Sequence, residues 1–281
     1  MKDISTLVED IYGLFNSDYI PLDKAVSEFG AALSKKISTR LSDERGRPTL
    51  RLSNLGSKCL RQLYYTINEP EKMEPLPPEA RMKFLYGDIL EELLLFLAKE
   101  AGHQVEGEQD ALSLDGVLGH RDAIIDGMVV DVKSASSFSF KKFANHLKPD
   151  DDAFGYLTQL SSYVKASEND ERVIYKGSGA FLAIDKTLGH IVLDIHNFGP
   201  VDFSKRIHTV RKAISSPVPP SRGYEPEPEG KSGNQKLGVN CSYCSFKNEC
   251  YPRLRTFLYS YGPVFLTRVE REPNVPEITP S

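Results

Sequence analysis

The chain has 281 residues, 40% hydrophobic and 26% charged, with a net charge of −4. That length suits one large domain or two small ones, and the composition is that of an ordinary globular protein. The mild acidity excludes a general polyanion binder but allows a local basic groove, and no apolar run approaches the ~20 residues of a membrane span.

The first fifteen residues carry acids within an apolar pattern and lack a basic, cleavable leader, so a cytoplasmic location is expected. Residues 1–50 read as a helical region with apolar positions Leu7, Ile11, Leu14, Phe15, Ala25, Phe29 and Leu33, broken at Arg45-Gly46-Arg47-Pro48. A new segment begins near residue 51 and contains Cys59. A Pro-rich stretch at 75–78 precedes a strong helix over 79–101, stopped by Gly102. Its apolar face takes in Phe84, Leu90, Leu94 and Leu97.

Two alternating runs, 117–125 and 128–135, flank Asp126-Gly127, a strong hairpin signal. A helix is predicted at 153–167, strands at 179–185 and 190–196, and a basic helix at 202–215. Residues 216–240 hold five prolines and four glycines and read as loop. The last residues, 271–281, read as disordered. The order of elements predicts an α/β fold with a central mixed sheet flanked by helices.

The hairpin carries the chemistry. With a two-residue turn, Asp122 faces Asp131 and His120 faces Lys133, and side chains two apart share a face. Two acids, a lysine and an imidazole then project to one side, the grouping that holds Mg²⁺ or Mn²⁺ and activates water beside a phosphate. The long helix offers a third acid, Glu91, one turn after Gly87, with Glu92 as its competitor. Glu229-Gly230-Lys231 repeats the short acid–lysine pattern in the Pro/Gly loop, where no strand supports it.

There are four cysteines, Cys59, Cys241, Cys244 and Cys250, the last three within ten positions. That spacing marks a metal or cluster site, and four thiolates suit Zn²⁺ or an iron–sulfur cluster alike.

Gly119-His120-Arg121-Asp122, then Asp131-Val132-Lys133, then Gln159-Leu160-Ser161-Ser162-Tyr163 resembles the RecB-type branch of the PD-(D/E)XK nucleases. The early Cys59 and late cysteine triplet resemble its iron–sulfur members, the CRISPR-associated RecB-like exonucleases and AddB-type nuclease modules, and a phage-encoded relative fits the pattern. The resemblance covers residues 51–255. It implies a restriction-endonuclease-like core at 51–215, a Cys-rich segment at 241–270 closing onto Cys59, and a structural [4Fe-4S] cluster on the four cysteines. That closure spans a loop of about 180 residues, entropically costly to fix otherwise. It implies metal ligation by Glu91, Asp122, Asp131 and the carbonyl of Val132, with Lys133 near the attacking water and Gln159 and Tyr163 at the site. His120 is not general in the family; it is expected either at the metal, as a ligand, a support to the ligands or a phosphate contact, or simply as a half-buried histidine.

The expected activity is exonucleolytic cutting of single-stranded DNA, with Lys141, Lys142, Arg206 and Arg211 contacting the backbone. Lys148, Lys205 and Lys212 are further basic candidates, and the aromatics Phe138, Phe140, Phe143 and Tyr156 would stack on bases. An endonuclease on branched or double-stranded DNA, or a non-catalytic nucleic-acid-binding module, stands as the alternative. Recombination or repair proteins, or further copies of the chain, are the expected protein partners.

Overall fold

A computed structural model describes residues 2–42 and 48–278. The break expected at 45–48 lies outside the described residues except for Pro48. Nine α-helices occur among the described residues: α1 (Leu7–Phe15), α2 (Asp23–Ser42), α3 (Leu60–Asn68), α4 (Pro78–Glu100), α5 (Ser137–Ala144), α6 (Tyr156–Ala166), α7 (Phe203–Ile214), α8 (Val239–Ser242) and α9 (Lys247–Cys250). The strands are β1 (Val105–Glu106), β2 (Ala111–Leu114), β3 (Val117–His120), β4 (Ala123–Ile125), β5 (Met128–Ala135), β6 (Ser178–Asp185), β7 (Ile191–Asn197), β8 (Glu227–Pro228), β9 (Gln235–Lys236), β10 (Arg255–Tyr259) and β11 (Gly262–Arg268). Among the described residues no helix is long and apolar enough to cross a membrane.

The chain divides into two compact units, one of residues 1–46, 50–56 and 79–207, the other of 47–49, 57–78 and 208–281. The first is built on a five-stranded mixed sheet in the order β1-β4-β5-β6-β7. The β4–β5 and β6–β7 pairs are antiparallel and β5–β6 is parallel. Parallel neighbours need a long crossover, here made by α5 and α6. The β4–β5 hairpin turns on Asp126 (φ 46°) and Gly127 (φ 81°), the two positive-φ positions of a type I′ turn. The Asp126 carboxylate is fixed beneath it by His103 Nδ1 (2.5 Å) and the Gln104 amide (3.0 Å).

One sheet face is apolar throughout. Ala123, Ile125, Val130, Val132, Ala180 and Leu182 pack against Leu7 and Ile11 of α1 and Leu94, Leu95 and Ala98 of α4. The i, i+4 spacing of the helix residues puts each set on one stripe. The alternate residues of β5, Asp131 and Lys133 among them, therefore turn to the face that α6 covers. Helix α6 begins at Gly155 (φ 78°), and Asp152 accepts hydrogen bonds from the amides of Gly155, Tyr156 and Leu157 at 2.8–2.9 Å. That cap fixes the start of the helix carrying Gln159 and Tyr163.

The expected strand over 117–125 is two strands. β3 pairs with β2 in a separate ribbon, with Ala111 opposite His120. The chain bends at Arg121, whose buried guanidinium meets Asp110 (2.9 Å), Asp170 (2.6 Å) and Ser167 (2.9 Å).

In the second unit β8–β11 form a four-stranded sheet in the order β10-β11-β9-β8. Residues 216–240, expected as loop alone, thus supply the two short strands β8 and β9. The expected disorder of 271–281 does not hold for its described part: the Leu258 amide donates to Pro276, the Ile278 amide to Thr256, and Val275 packs on a small core around Phe257.

Candidate functional site

The hairpin register is the expected one, Ala123 opposite Val130 and Ile125 opposite Met128. Extended one position, it sets Asp122 against Asp131, both on the side away from α4. Asp122 Oδ2 accepts the Val132 amide at 2.8 Å. Lys133 Nζ makes an ion pair with Asp131 Oδ2 and lies 5.0 Å from the Tyr156 ring centre. Gln159 Nε2 donates to Asp131 Oδ1 (3.0 Å) and to the Tyr163 hydroxyl (3.3 Å).

Glu91 joins from α4 in the same unit. Its Oε1 takes hydrogen bonds from Lys36 Nζ (3.0 Å) and Gln109 Nε2 (2.8 Å), and Lys36 also reaches Glu92 at 3.3 Å. Gln109 stands at φ 55°, and its amide donates to the Asp122 carbonyl. The 107–110 loop thus ties the hairpin acid to the helix acid. Of the two helix acids, Glu91 is the one joined to Gln109.

Charge crowding marks the site. Burial, then the neighbouring Asp131 and Glu91, push the Asp122 carboxyl well above the usual carboxylate range. Burial and the acids Glu92 and Asp88 raise Glu91 too, against the pull of Lys36. Lys133 is raised: burial opposes its charge, but Asp131 and Asp122 outweigh it. Lys36 is raised in the same way by Glu91 and Glu92. Beyond its contact with Lys133, the buried Asp131 Oδ2 accepts no hydrogen bond among the described residues. The oxygens of Glu91, Asp122 and Asp131 do not all lie within 4.8 Å of one another. Mutually repelling buried carboxylates, with Asp131 Oδ2 held by Lys133 alone, form a donor set that suits a hard divalent cation.

Beside the acids lies a cleft of about 1030 Å³, lined by α2, by Asp88, Glu91, Glu92 and Phe96 of α4, and by Arg51, Gln109 and Asp122. Helix α2 meets α4 through the stacked Phe29 and Phe96 (4.6 Å) and through a two-pronged Arg40–Asp88 pair at 2.6 and 2.7 Å. Lys36, Arg40 and Gln109 were not expected from the sequence. The i, i+4 spacing of Lys36 and Arg40 on one helix face is the signal that was there to find.

Other expected residues fall elsewhere. His120 is exposed and pairs with Ala111 in the β2–β3 ribbon, not with Lys133 across the hairpin. The bend at Arg121 takes it off the sheet that carries the acids. Arg206 is half-buried with Nε on the Leu55 carbonyl at 2.9 Å, an anchoring role for a residue expected on DNA. Lys142 bonds the Asp151 carbonyl (2.9 Å), while Lys141 and Arg211 are exposed. Phe143 is core, packed on Phe181 and Tyr156, and Phe138 is exposed. Glu229 closes a turn with Ser232, Asn234 and Tyr259.

In the second unit Cys59, Cys241, Cys244 and Cys250 line one pocket with Arg61, Arg222 and Tyr251. All four are free of disulfides. Burial, then the neighbouring cysteines, push the Cys241 thiol up to about 11, and burial, Cys250 and Cys59 push Cys244 up to about 12. A side chain at Gly223 would come within 3.1 Å of Cys59 Sγ, so the backbone itself walls that side. Four thiols lining one pocket, with Cys241, Cys244 and Cys250 raised by burial, form a set suited to a thiolate-binding metal centre.

No family model matches the sequence, and no curated protein matches it. Among solved structures, the crystal structure of SSO0001 aligns with 82% of this chain and 97% of its own at 18% identity, with a TM-score of 0.44.

Proposed function

We propose that the chain is a divalent-metal-dependent DNA exonuclease of the PD-(D/E)XK type, acting on single-stranded ends. The observation that carries this reading is the meeting on one sheet face of Asp122, one residue before β4, with Asp131 of β5 and Lys133 against it, while Glu91 of α4 is tied to Asp122 through Gln109. Glu91, Asp122, Asp131 and the Val132 carbonyl would hold Mg²⁺ or Mn²⁺. Such an ion, when bound, polarises a phosphoryl oxygen and acidifies water.

The chain's own residues do the rest. Gln159 holds the Asp131 carboxylate in one orientation. Lys133, raised and therefore cationic, offers positive charge to a phosphate or to a departing oxygen. Arg51 and the basic residues of α2 line the cleft that a strand would enter. The four cysteines would hold a [4Fe-4S] cluster that ties Cys59 to the 241–250 segment, a structural part with no role in cutting.

The test is degradation of end-labelled single-stranded DNA in Mg²⁺ or Mn²⁺. Asp131→Asn should abolish cutting, and Lys133→Met should slow it by about two orders of magnitude or more. Unchanged degradation by either variant defeats the assignment. Cutting of circular or end-blocked DNA would make the enzyme an endonuclease. Binding without cutting in any divalent metal would leave a nucleic-acid-binding module. For the cysteine site, brown protein absorbing near ~400 nm after anaerobic purification is the expected result, and a colourless zinc protein contradicts the cluster.

A further inference from the structure

On the edge strand β7, Asp194 and His196 stand two apart and share a face, while Leu193 and Ile195 turn to the core under α1 and α4. His146, just past the end of α5, closes on them. Its Nδ1 lies 2.8 Å from Asp194 Oδ1, and His196 Nε2 lies 2.9 Å from Asp194 Oδ2. The Leu147 amide also donates to Oδ2, at 3.0 Å. The two imidazoles stack at 4.3 Å and 17°. Among the described residues this is the one trio of ligand-type side chains whose donor atoms all lie within 4.8 Å of one another.

An ordinary Asp–His hydrogen bond accounts for His196. It does not account for a second imidazole stacked over the first from a residue at φ 61°, a backbone state that costs about 1–2 kcal/mol outside glycine. Donors around one tetrahedral ion with bonds of about 2.0–2.1 Å stand about 3.3 Å apart, and the two nitrogen–oxygen separations, 2.8 and 2.9 Å, come within about half an ångström of that spacing. Asp194 and His196 are buried, and the His146 side chain is 62% exposed, which leaves one side open to solvent.

We propose that His146, Asp194 and His196 form a site for a divalent transition-metal ion of the zinc class, separate from the carboxylate and cysteine sites. Two imidazoles and one carboxylate favour such an ion over Mg²⁺ or Ca²⁺. Its bonds fasten the end of α5 to the sheet edge. Phe143, one turn back on α5, packs on Tyr156, which lies beneath Lys133. The ion therefore steadies the aromatic support of the proposed catalytic lysine. The site stands on its own residues whatever the acids of the hairpin do.

Equilibrium dialysis against Zn²⁺ tests this on the full chain with its cysteine site filled, comparing wild type with His146→Asn and Asp194→Asn. Asparagine accepts a left-handed backbone, so His146→Asn keeps the turn, and His146→Gly serves if it does not fold. Wild type should bind one more Zn²⁺ per chain than either variant, or bind it at least about tenfold more tightly. Zn²⁺ should raise the Tm of wild type more than that of either variant, in which the hairpin acids are intact. In Co²⁺-loaded protein the bands lost with His146 should be ligand-field bands with no sulfur charge transfer. Equal stoichiometry and equal Tm shifts in wild type and variants overturn the proposal.

Discussion

Gln159 illustrates how single residues carry the site. It touches no phosphate in this account; its amide joins Asp131 to Tyr163 and so fixes the angle of a carboxylate. Gln159→Ala should therefore lower activity about 10–100-fold, the range for a group that orients a metal ligand, and a higher Mn²⁺ concentration should restore part of it. Metal titration of the rate checks this. Asp122 works against the fold: it is crowded by Asp131 and Glu91 and raised by burial. Asp122→Asn should leave metal-free protein at least as stable as wild type in urea melts while abolishing cutting, the trade of stability for function expected at such a site. Asp122 and Asp131 were legible because alternation and the Asp-Gly turn fix their register. His120 was misplaced because nothing in the alternation of 117–125 announces that Arg121 buries its guanidinium and bends the chain.

At the level of elements, the hairpin and the Arg121 cluster decide the geometry. Gly127 sits at φ 81° with Ile174 where a Cβ would fall, 2.8 Å away. Gly127→Ala should cost about 1–3 kcal/mol in urea denaturation and reduce activity with it. Asp110 and Asp170 are held below the usual carboxylate range, chiefly by Arg172 and against burial, with Arg121 adding to the effect. Lowered carboxylates contribute stability above their unfolded pKa of ~3.9, and it is lost as pH falls through the folded value. Asp170→Asn should cost about 2 kcal/mol at neutral pH, less than for an isolated buried pair because Arg121 keeps Asp110 and Ser167. The loss should shrink below pH ~4, and urea melts from neutral pH to pH ~2 check both. The helices α1, α4, α6 and α7 and the strands β5, β6 and β7 were readable from periodicity. Helix α5 was not, since Phe138 and Phe140 alternate as a strand would; nor was β2, although Asp115-Gly116 repeats the turn signal of the neighbouring hairpin.

For the whole molecule, the α/β architecture with a mixed sheet follows from the order of elements along the chain, and each unit gathers one of the two residue sets that the sequence marks as candidate metal ligands. The β8–β11 sheet was hidden because its strands are two to seven residues long and set among prolines and glycines. Cys244→Ser should remove the ~400 nm absorbance expected of an iron–sulfur centre and expose residues 208–281 to protease, because binding energy at such a centre is folding energy. Limited proteolysis followed by mass mapping checks this.

In the proposed mechanism Asp122 and Asp131 share one divalent ion. Anomalous scattering from a crystal grown in Mn²⁺ tests it most directly. A peak bonded to both carboxylates and to the Val132 carbonyl is expected, and it should vanish in Asp131→Asn. A fully loaded crystal with no manganese between these two acids contradicts the account.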